Sequence, residues 1–289
     1  MTEQLRPRRS VLYMPGANER ALEKAKTLDA DALILDLEDA VAPDAKVEAR
    51  DRVCIAAGSD EYGHREVTIR ANGIGTRWHD DDVRAIATSG ADAIVIPKVD
   101  SAEDVKHVVA ALEQAGAPDD LDVWAMIETP TAIWNAREIA TAHDRLTAFV
   151  MGTNDLVKEL QAEFVLGRQP LLASLSMAVL GARTAGVVVL DGVFNDLDDA
   201  EGFEDECRQG RQLGMDGKTL IHPKQLEPCN RVFAPSEDEV ANAREVIEAF
   251  EEATAQGKGV ATVRGKLIEN LHVEQARRTV AQHEAIRDR

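Results

Sequence analysis

ALILDLED, residues 32–39, runs apolar without alternation and then turns acidic at Asp36, Glu38 and Asp39. A strand with one wet face alternates polar and apolar residues, whereas an unbroken apolar run marks a strand covered on both faces, as in a parallel sheet beneath helices. Outward from this stretch, seven further runs have the same character: Ser10–Met14, Val67–Asn72, Ala93–Val99, Val123–Thr129, Ala148–Asp155, Val187–Phe194 and Gly217–Pro223. Amphipathic stretches lie between them, among them Glu19–Leu28, Ala45–Ala57, Ala102–Gln114, Thr131–Thr141, Leu171–Thr184 and Ala200–Leu213. Eight alternating units predict an α/β protein, a (β/α)8 TIM barrel, with one catalytic domain over residues 1–256. The helical stretches Ser236–Ala255 and Val273–Ile286 exceed what a barrel needs, and Gly257, Gly259 and Gly265 mark a flexible entry and a turn. Residues 257–289 are therefore expected to form a C-terminal arm or lid, over the barrel mouth or a neighbouring subunit.

The 33 basic and 52 acidic side chains leave a formal charge of −19. That balance argues against nucleic acid or an anionic membrane surface as the main partner. An anionic substrate binds such a chain only where the scarce Lys and Arg are gathered. The three cysteines, Cys54, Cys207 and Cys229, show no CxxC spacing, which points away from a disulfide framework or a zinc cluster and fits a reducing cytoplasm. Neither a signal-like apolar stretch at MTEQLRPRRS nor a membrane-length apolar run is present, so a cytoplasmic protein is expected.

Strands covered on both faces leave polar residues at their C-terminal ends to be explained, and barrel active sites are assembled at that end. Here the ends carry Asp36, Glu38 and Asp39, then Arg70 and Asn72, Lys98, Glu128, Asn154 and Asp155, Asp191 and His222. Glu128 and Asp155 end runs five and six, so they stand side by side. Two close carboxylates raise each other's pKa unless a cation lies between them, and oxygen-only donors favour Mg²⁺, or Mn²⁺, over zinc. Capping of the following helices is the alternative reading of both. Arg70 and Lys98 bring positive charge beside this pair, Arg70 being suited to a two-pronged grip on a carboxylate or thioester oxygen. The LDLED acids read as partners that orient Arg70, Lys98 and metal-bound water, with Glu38 and Asp39 counted in the catalytic set. Near the start, Pro15-Gly16 turns into a helix capped by Asn18, and with Lys24 this forms a candidate anion site; a solvated helix face is the plainer reading. No Ser-His-Asp or Cys-His arrangement appears.

Taken together, SVLYMPGANERALEKA, LILDLEDAV, IRANG, VIPKV, IETP, MGTNDL, LDGVFND and GKTLIHPKQ resemble the citrate lyase β-subunit-like (HpcH/HpaI aldolase) family. That family holds malyl-CoA and citramalyl-CoA lyases and (3S)-malyl-CoA thioesterases, and the likeness runs from about Arg9 to the C-terminus. It implies a Mg²⁺-dependent enzyme acting on a small β-hydroxyacyl-CoA, foremost (3S)-malyl-CoA, by thioester hydrolysis or C–C cleavage. A citrate lyase β subunit or a citramalyl-CoA lyase is the alternative. The resemblance puts the metal carboxylates on Glu128 and Asp155, the substrate arginine on Arg70, and CoA-ester contacts on Tyr13 and Lys24. It also implies a homo-oligomer, a trimer or hexamer, in which Glu269 stands where the family's arm often carries an Asp that reaches a neighbour's site. Asn18 stands where the lyases often carry Arg.

Overall fold

In the computed structural model, which describes residues 6–289, eight strands alternate with helices and close into a barrel. The strands are β1 (Ser10–Pro15), β2 (Ala32–Asp36), β3 (Glu66–Arg70), β4 (Ala93–Ile96), β5 (Asp122–Ile127), β6 (Leu146–Met151), β7 (Val188–Asp191) and β8 (Gly217–Leu220). Every neighbour pairing is parallel, and β1 closes on β8. The helices around them are α1 (Glu19–Ala25), α2 (Lys46–Ala57), α3 (His79–Ile86), α4 (Ala102–Gln114), α5 (Pro130–Trp134), α6 (Ala136–Ala140), α7 (Thr153–Glu159), α8 (Leu172–Arg183), α9 (Ala200–Gln212) and α10 (Leu226–Phe233). The predicted barrel is thus observed.

Period-two alternation along the strands places the site. Val11, Ile34, Val95, Trp124, Met126, Val150 and Leu190 form one buried cluster, with Tyr13 packed against it. Two residues on from Ile34, Met126 and Val150 come Asp36, Glu128 and Gly152, which carry the same alternation beyond the apolar filling to the mouth. Pairing of β2 with β3 sets Asp36 opposite Arg70, and pairing of β5 with β6 sets Ile127 opposite Met151. At the other end Trp124 is fully buried with the Arg8 guanidinium 5.1 Å over its ring, and Arg8 donates two hydrogen bonds to Glu66. Gly217 is obligatory there, because a Cβ would lie 1.8 Å from the Arg8 carbonyl oxygen.

Two differences from expectation bear on the site. Helix α3 lies between β3 and β4, where HDDDVRAI offers only Val83 and Ile86 as apolar turns and Trp78, which supplies no side-chain cap, as its N-cap. The sixth run does not reach Asp155 as strand: β6 ends at Met151, and Asp155 lies in the first turn of α7.

The chain divides into two compact units, Arg8–Asn230 with the barrel and a second built from Arg231–Arg289. In the second, α11 (Glu237–Ala255), a hairpin of β9 (Ala261–Val263) and β10 (Lys266–Ile268), and α12 (Asn270–Arg287) share a core of Val246, Ala253, Val263, Ile268 and Val273. Helix α11, counted with the barrel in the sequence reading, shares this core with the arm. The hairpin turns at Arg264 and Gly265, both with positive φ (49° and 77°), which suits a tight two-residue connection. No described helix is long and apolar enough to cross a membrane.

Candidate active site

Arg70 is the hub of the barrel mouth. Asp36 accepts from its Nε at 2.6 Å and its Nη2 at 2.7 Å, a two-pronged grip that fixes the guanidinium plane. The Asp36 oxygens also accept from the Glu38 and Ala40 backbone N–H groups, so one carboxylate shapes the loop and aims the arginine. Nη1 is left facing Glu38 at 2.8 Å and Asp39 at 3.7 Å, and the Tyr13 ring lies 5.0 Å beneath the guanidinium. Burial works against the charge, but Tyr13, then Asp36 and Glu38, hold the Arg70 pKa well above its ordinary value. Burial instead raises the Glu38 carboxyl to about 7, outweighing the Arg70 contact, and Asp39 adds to the rise.

Glu128 lies beside this group, 2% exposed, with Oε1 accepting from the Lys98 backbone N–H at 2.8 Å. Its carboxyl is pushed up to about 7, first by burial and then by Glu38, with Asp155 contributing in the same direction. Gly152 makes room for it: a Cβ there would stand 2.2 Å from Glu128 Oε2. Lys98 adopts φ 52°, a left-handed conformation that non-glycine residues seldom take, and its Nζ stands 4.0 Å from Glu38 and 3.9 Å from Asp155. The mouth cavity, about 330 Å³, is lined by Tyr13, Arg70, Met126, Glu128, Asn154 and Asp155 among others. A second cavity of about 610 Å³, largely apolar, shares Thr153, Asn154, Val193 and Asn195 with it.

The structure therefore brings together Tyr13, Glu38, Asp39, Arg70, Lys98, Glu128 and Asp155. Lys24 is exposed on α1 and does not line the mouth cavity. Glu269 belongs to the second unit, as the N-cap residue of α12, where its backbone N–H donates to His272 Nδ1. Asn72 is buried against Asp82, and His222 caps the short turn at Pro223–Gln225, so both strand-end residues are structural. Sequence reasoning missed the Asn154–Asn195 amide pair and the charged cluster around Asp191, the buried Arg168 and Lys218 with the partly buried Glu206. Lys218 was the one with a signal, a lysine within a fully buried parallel strand.

A model of the HpcH/HpaI aldolase/citrate lyase family matches residues 9–223. A (3S)-malyl-CoA thioesterase of Cereibacter sphaeroides is 51% identical over 286 residues, covering 99% of this chain and 98% of the relative. An L-malyl-CoA/beta-methylmalyl-CoA lyase of the same species is 36% identical over 305 residues, covering 97% and 96%. Among solved structures, the protein CitE of Mycobacterium tuberculosis, in complex with magnesium, acetoacetate and coenzyme A, aligns with a TM-score of 0.77 at 27% identity, covering 95% of this chain and 97% of that one. With the closed barrel and the acid-lined mouth already in view, this full-length likeness leaves one conclusion: the chain belongs to the HpcH/HpaI aldolase/citrate lyase family.

Proposed function

We propose that the protein hydrolyses a small β-hydroxyacyl-CoA, (3S)-malyl-CoA, to malate and CoA with the help of Mg²⁺. The observation that carries this reading is a guanidinium held by Asp36 beside the buried Glu128 carboxylate, in a chain alike over its whole length to a (3S)-malyl-CoA thioesterase.

The residues fit a divalent cation. Asp36, Glu38, Asp39, Glu128 and Asp155 gather at the mouth with Arg70, Lys98 and Lys46 as the neighbouring cations, and burial, then Glu38, lifts the Glu128 carboxyl to about 7. Among the described residues no three carboxylate, His or Cys side chains converge on one point, so Glu128 and Asp155 would hold an ion that keeps several waters, as Mg²⁺ does. Mn²⁺ has the same preference for oxygen and is expected to substitute. When bound, the ion supplies positive charge to the malyl carboxylate and hydroxyl oxygens. Arg70 holds the acyl oxygen on which negative charge develops, its plane preset by Asp36. Proton transfer to or from water and the departing thiolate is favoured by a group that titrates near neutrality, and in the barrel Glu38 has that property. Glu269 of the arm is the other carboxylate proposed for the proton. The protein works as a homo-oligomer, a trimer or hexamer, with the arm serving a neighbouring barrel.

A second reading is C–C cleavage to glyoxylate and acetyl-CoA, favoured by the 36% identical lyase. The same arginine and carboxylates serve both. Incubation with Mg²⁺ and malyl-CoA, with malate, glyoxylate, acetyl-CoA and free CoA quantified, separates them. Malate and CoA in equal amounts support hydrolysis, glyoxylate and acetyl-CoA support cleavage, and no consumption rejects both.

Two substitutions test the assignments. Arg70→Lys keeps the charge but loses the fork that Asp36 grips, so kcat is expected to fall roughly 100-fold or more, the scale of losing one preset donor to a developing charge. Kinetics like wild type would give Arg70 a structural part only. Lys24→Ala, in contrast, removes a remote phosphate contact and is expected to raise KM several-fold with kcat little changed. An unchanged KM would remove α1 from the CoA site.

A further inference from the structure

Behind the mouth, four charged side chains cluster, two of them wholly shut away from water. Asp191, at the end of β7, and Lys218, in β8, are fully buried; Arg168 is 7% exposed, and Glu206 of α9 closes the group. Arg168 Nη1 donates to Asp191 Oδ1 at 2.7 Å, Lys218 Nζ donates to Glu206 at 2.7 Å and stands 3.5 Å from Asp191 Oδ2, and Gln209 accepts from Arg168 Nε. Burying such charges costs several kcal/mol per ion, and well-packed apolar residues often serve stability as well. Arg168 also holds φ 51°, beside Gly167 at φ 77°, a conformation that disfavours side-chain-bearing residues. The chain accepts both costs to aim this guanidinium at the β7 exit.

The contacts show what is held there. Asp191 Oδ1 accepts from the Gly192 N–H at 2.8 Å, while the Gly192 carbonyl accepts from Lys218 Nζ, so the N–H and C=O of Gly192 are both tied to the cluster. Gly192 in turn lies flat on Thr153, the first residue of α7: a Cβ on Gly192 would stand 2.3 Å from Thr153 Oγ1. Asn154 and Asp155 follow directly. Three residues past Gly192, Asn195 exchanges two hydrogen bonds with Asn154, at 2.8 and 3.3 Å. Any shift of Gly192 thus reaches the β6–α7 corner by contact and by the amide pair.

We propose that the charged quartet Arg168, Asp191, Lys218 and Glu206 is a positioning device that sets the α7 N-terminus, and with it the Asp155 carboxylate, for cation binding. This rests on the reading of Asp155 as a metal carboxylate. Positioning residues behind a metal ligand typically change affinity by roughly 10–100-fold when removed.

The test uses the full-length chain and three variants. Arg168→Gln breaks the ion pairs, Arg168→Lys keeps charge without the fork, and Gly192→Ala leaves all four charges but drives a methyl group into Thr153. Hydrogen–deuterium exchange of peptides covering residues 151–160 and Mg²⁺ titration calorimetry are the readouts, beside the melting temperature. Arg168→Gln and Gly192→Ala are expected to speed exchange over residues 151–160 and to weaken Mg²⁺ roughly 10–100-fold, with Arg168→Lys in between. A lowered melting temperature with wild-type exchange over 151–160 and wild-type Mg²⁺ affinity would overturn the proposal, reducing the cluster to a structural one. Should Arg168→Gln fail to fold, Gly192→Ala decides alone. If the wild-type protein binds no Mg²⁺, the functional reading falls, and the exchange pattern still supports or overturns the positioning role.

Discussion

Glu128→Gln is expected to abolish turnover while making the metal-free protein more stable at pH 8. The two effects have one origin. In the folded state burial, then Glu38, lift the Glu128 carboxyl to about 7 from an ordinary 4.5, so the folded protein binds this proton more tightly than the unfolded chain does. Its contribution to stability is complete below about 4.5 and is lost as pH rises through about 7, beyond which the folded state carries an unneutralised buried charge. The two pKa values correspond to a penalty of up to about 3 kcal/mol. Gln carries no charge and its Oε1 still accepts from the Lys98 N–H, so the variant escapes that penalty. A melting temperature several degrees above wild type is expected without Mg²⁺ at pH 8, with the difference shrinking towards pH 4.5. Added Mg²⁺ is expected to reverse the order, because ligand binding stabilises the wild-type protein and the variant has lost a ligand. Activity is expected to fall by orders of magnitude, as is that of Asp155→Asn, and chelator is expected to silence the wild type until Mg²⁺ is restored. A Glu128→Gln protein that melts below wild type at pH 8 without metal would show the carboxylate to be structural. Wild-type turnover in excess chelator would remove the metal from the reaction.

Much of this was legible beforehand because the barrel enforces it. ALILDLED has to be a doubly covered strand, and its alternation sends Ile34 and then Asp36 inward, just as VWAMIET sends Met126 and then Glu128. Parallel pairing of neighbouring runs then brings Asp36 to Arg70 without further information. Three features did not follow from local pattern. Helix α3 has acids where a stripe of apolar residues would announce it, and it is held by tertiary contacts, the buried Asp82 accepting from Arg50 and from the Asn72 backbone. Asp155 reads equally well as a strand end or a helix start, since MGTND passes from one to the other within a few residues. The Arg168–Asp191 pair spans 23 residues and depends on a loop whose left-handed turn no periodicity describes. Contacts set by register are readable from one sequence, and contacts set by loop conformation are not.

The arm poses a sharper question, since the barrel's own groups leave Glu269 unused. Exposed apolar residues flank that carboxylate, Leu267 at 58% and Leu271 at 59%, which suits a surface that meets a partner. If the arm serves a neighbouring barrel, each working site draws Glu128 from one copy and Glu269 from another. Glu128→Gln and Glu269→Gln homo-oligomers are then both expected to be inactive, for different reasons. Co-refolding them in equal amounts distributes the copies at random. A site is whole only when its barrel comes from the Glu269→Gln protein and its arm from the Glu128→Gln protein, which occurs at about one quarter of the sites. Recovery of about one quarter of wild-type activity per barrel is therefore the expected result, measured after mass spectrometry has established that mixed oligomers formed. An arm that folds back on its own barrel predicts none, because every chain then carries one defect in its single site. Mixed oligomers without activity would confine the arm to its own chain. A fully active Glu269→Gln homo-oligomer would leave Glu38, already held near neutrality beside Arg70, as the proton-transfer group.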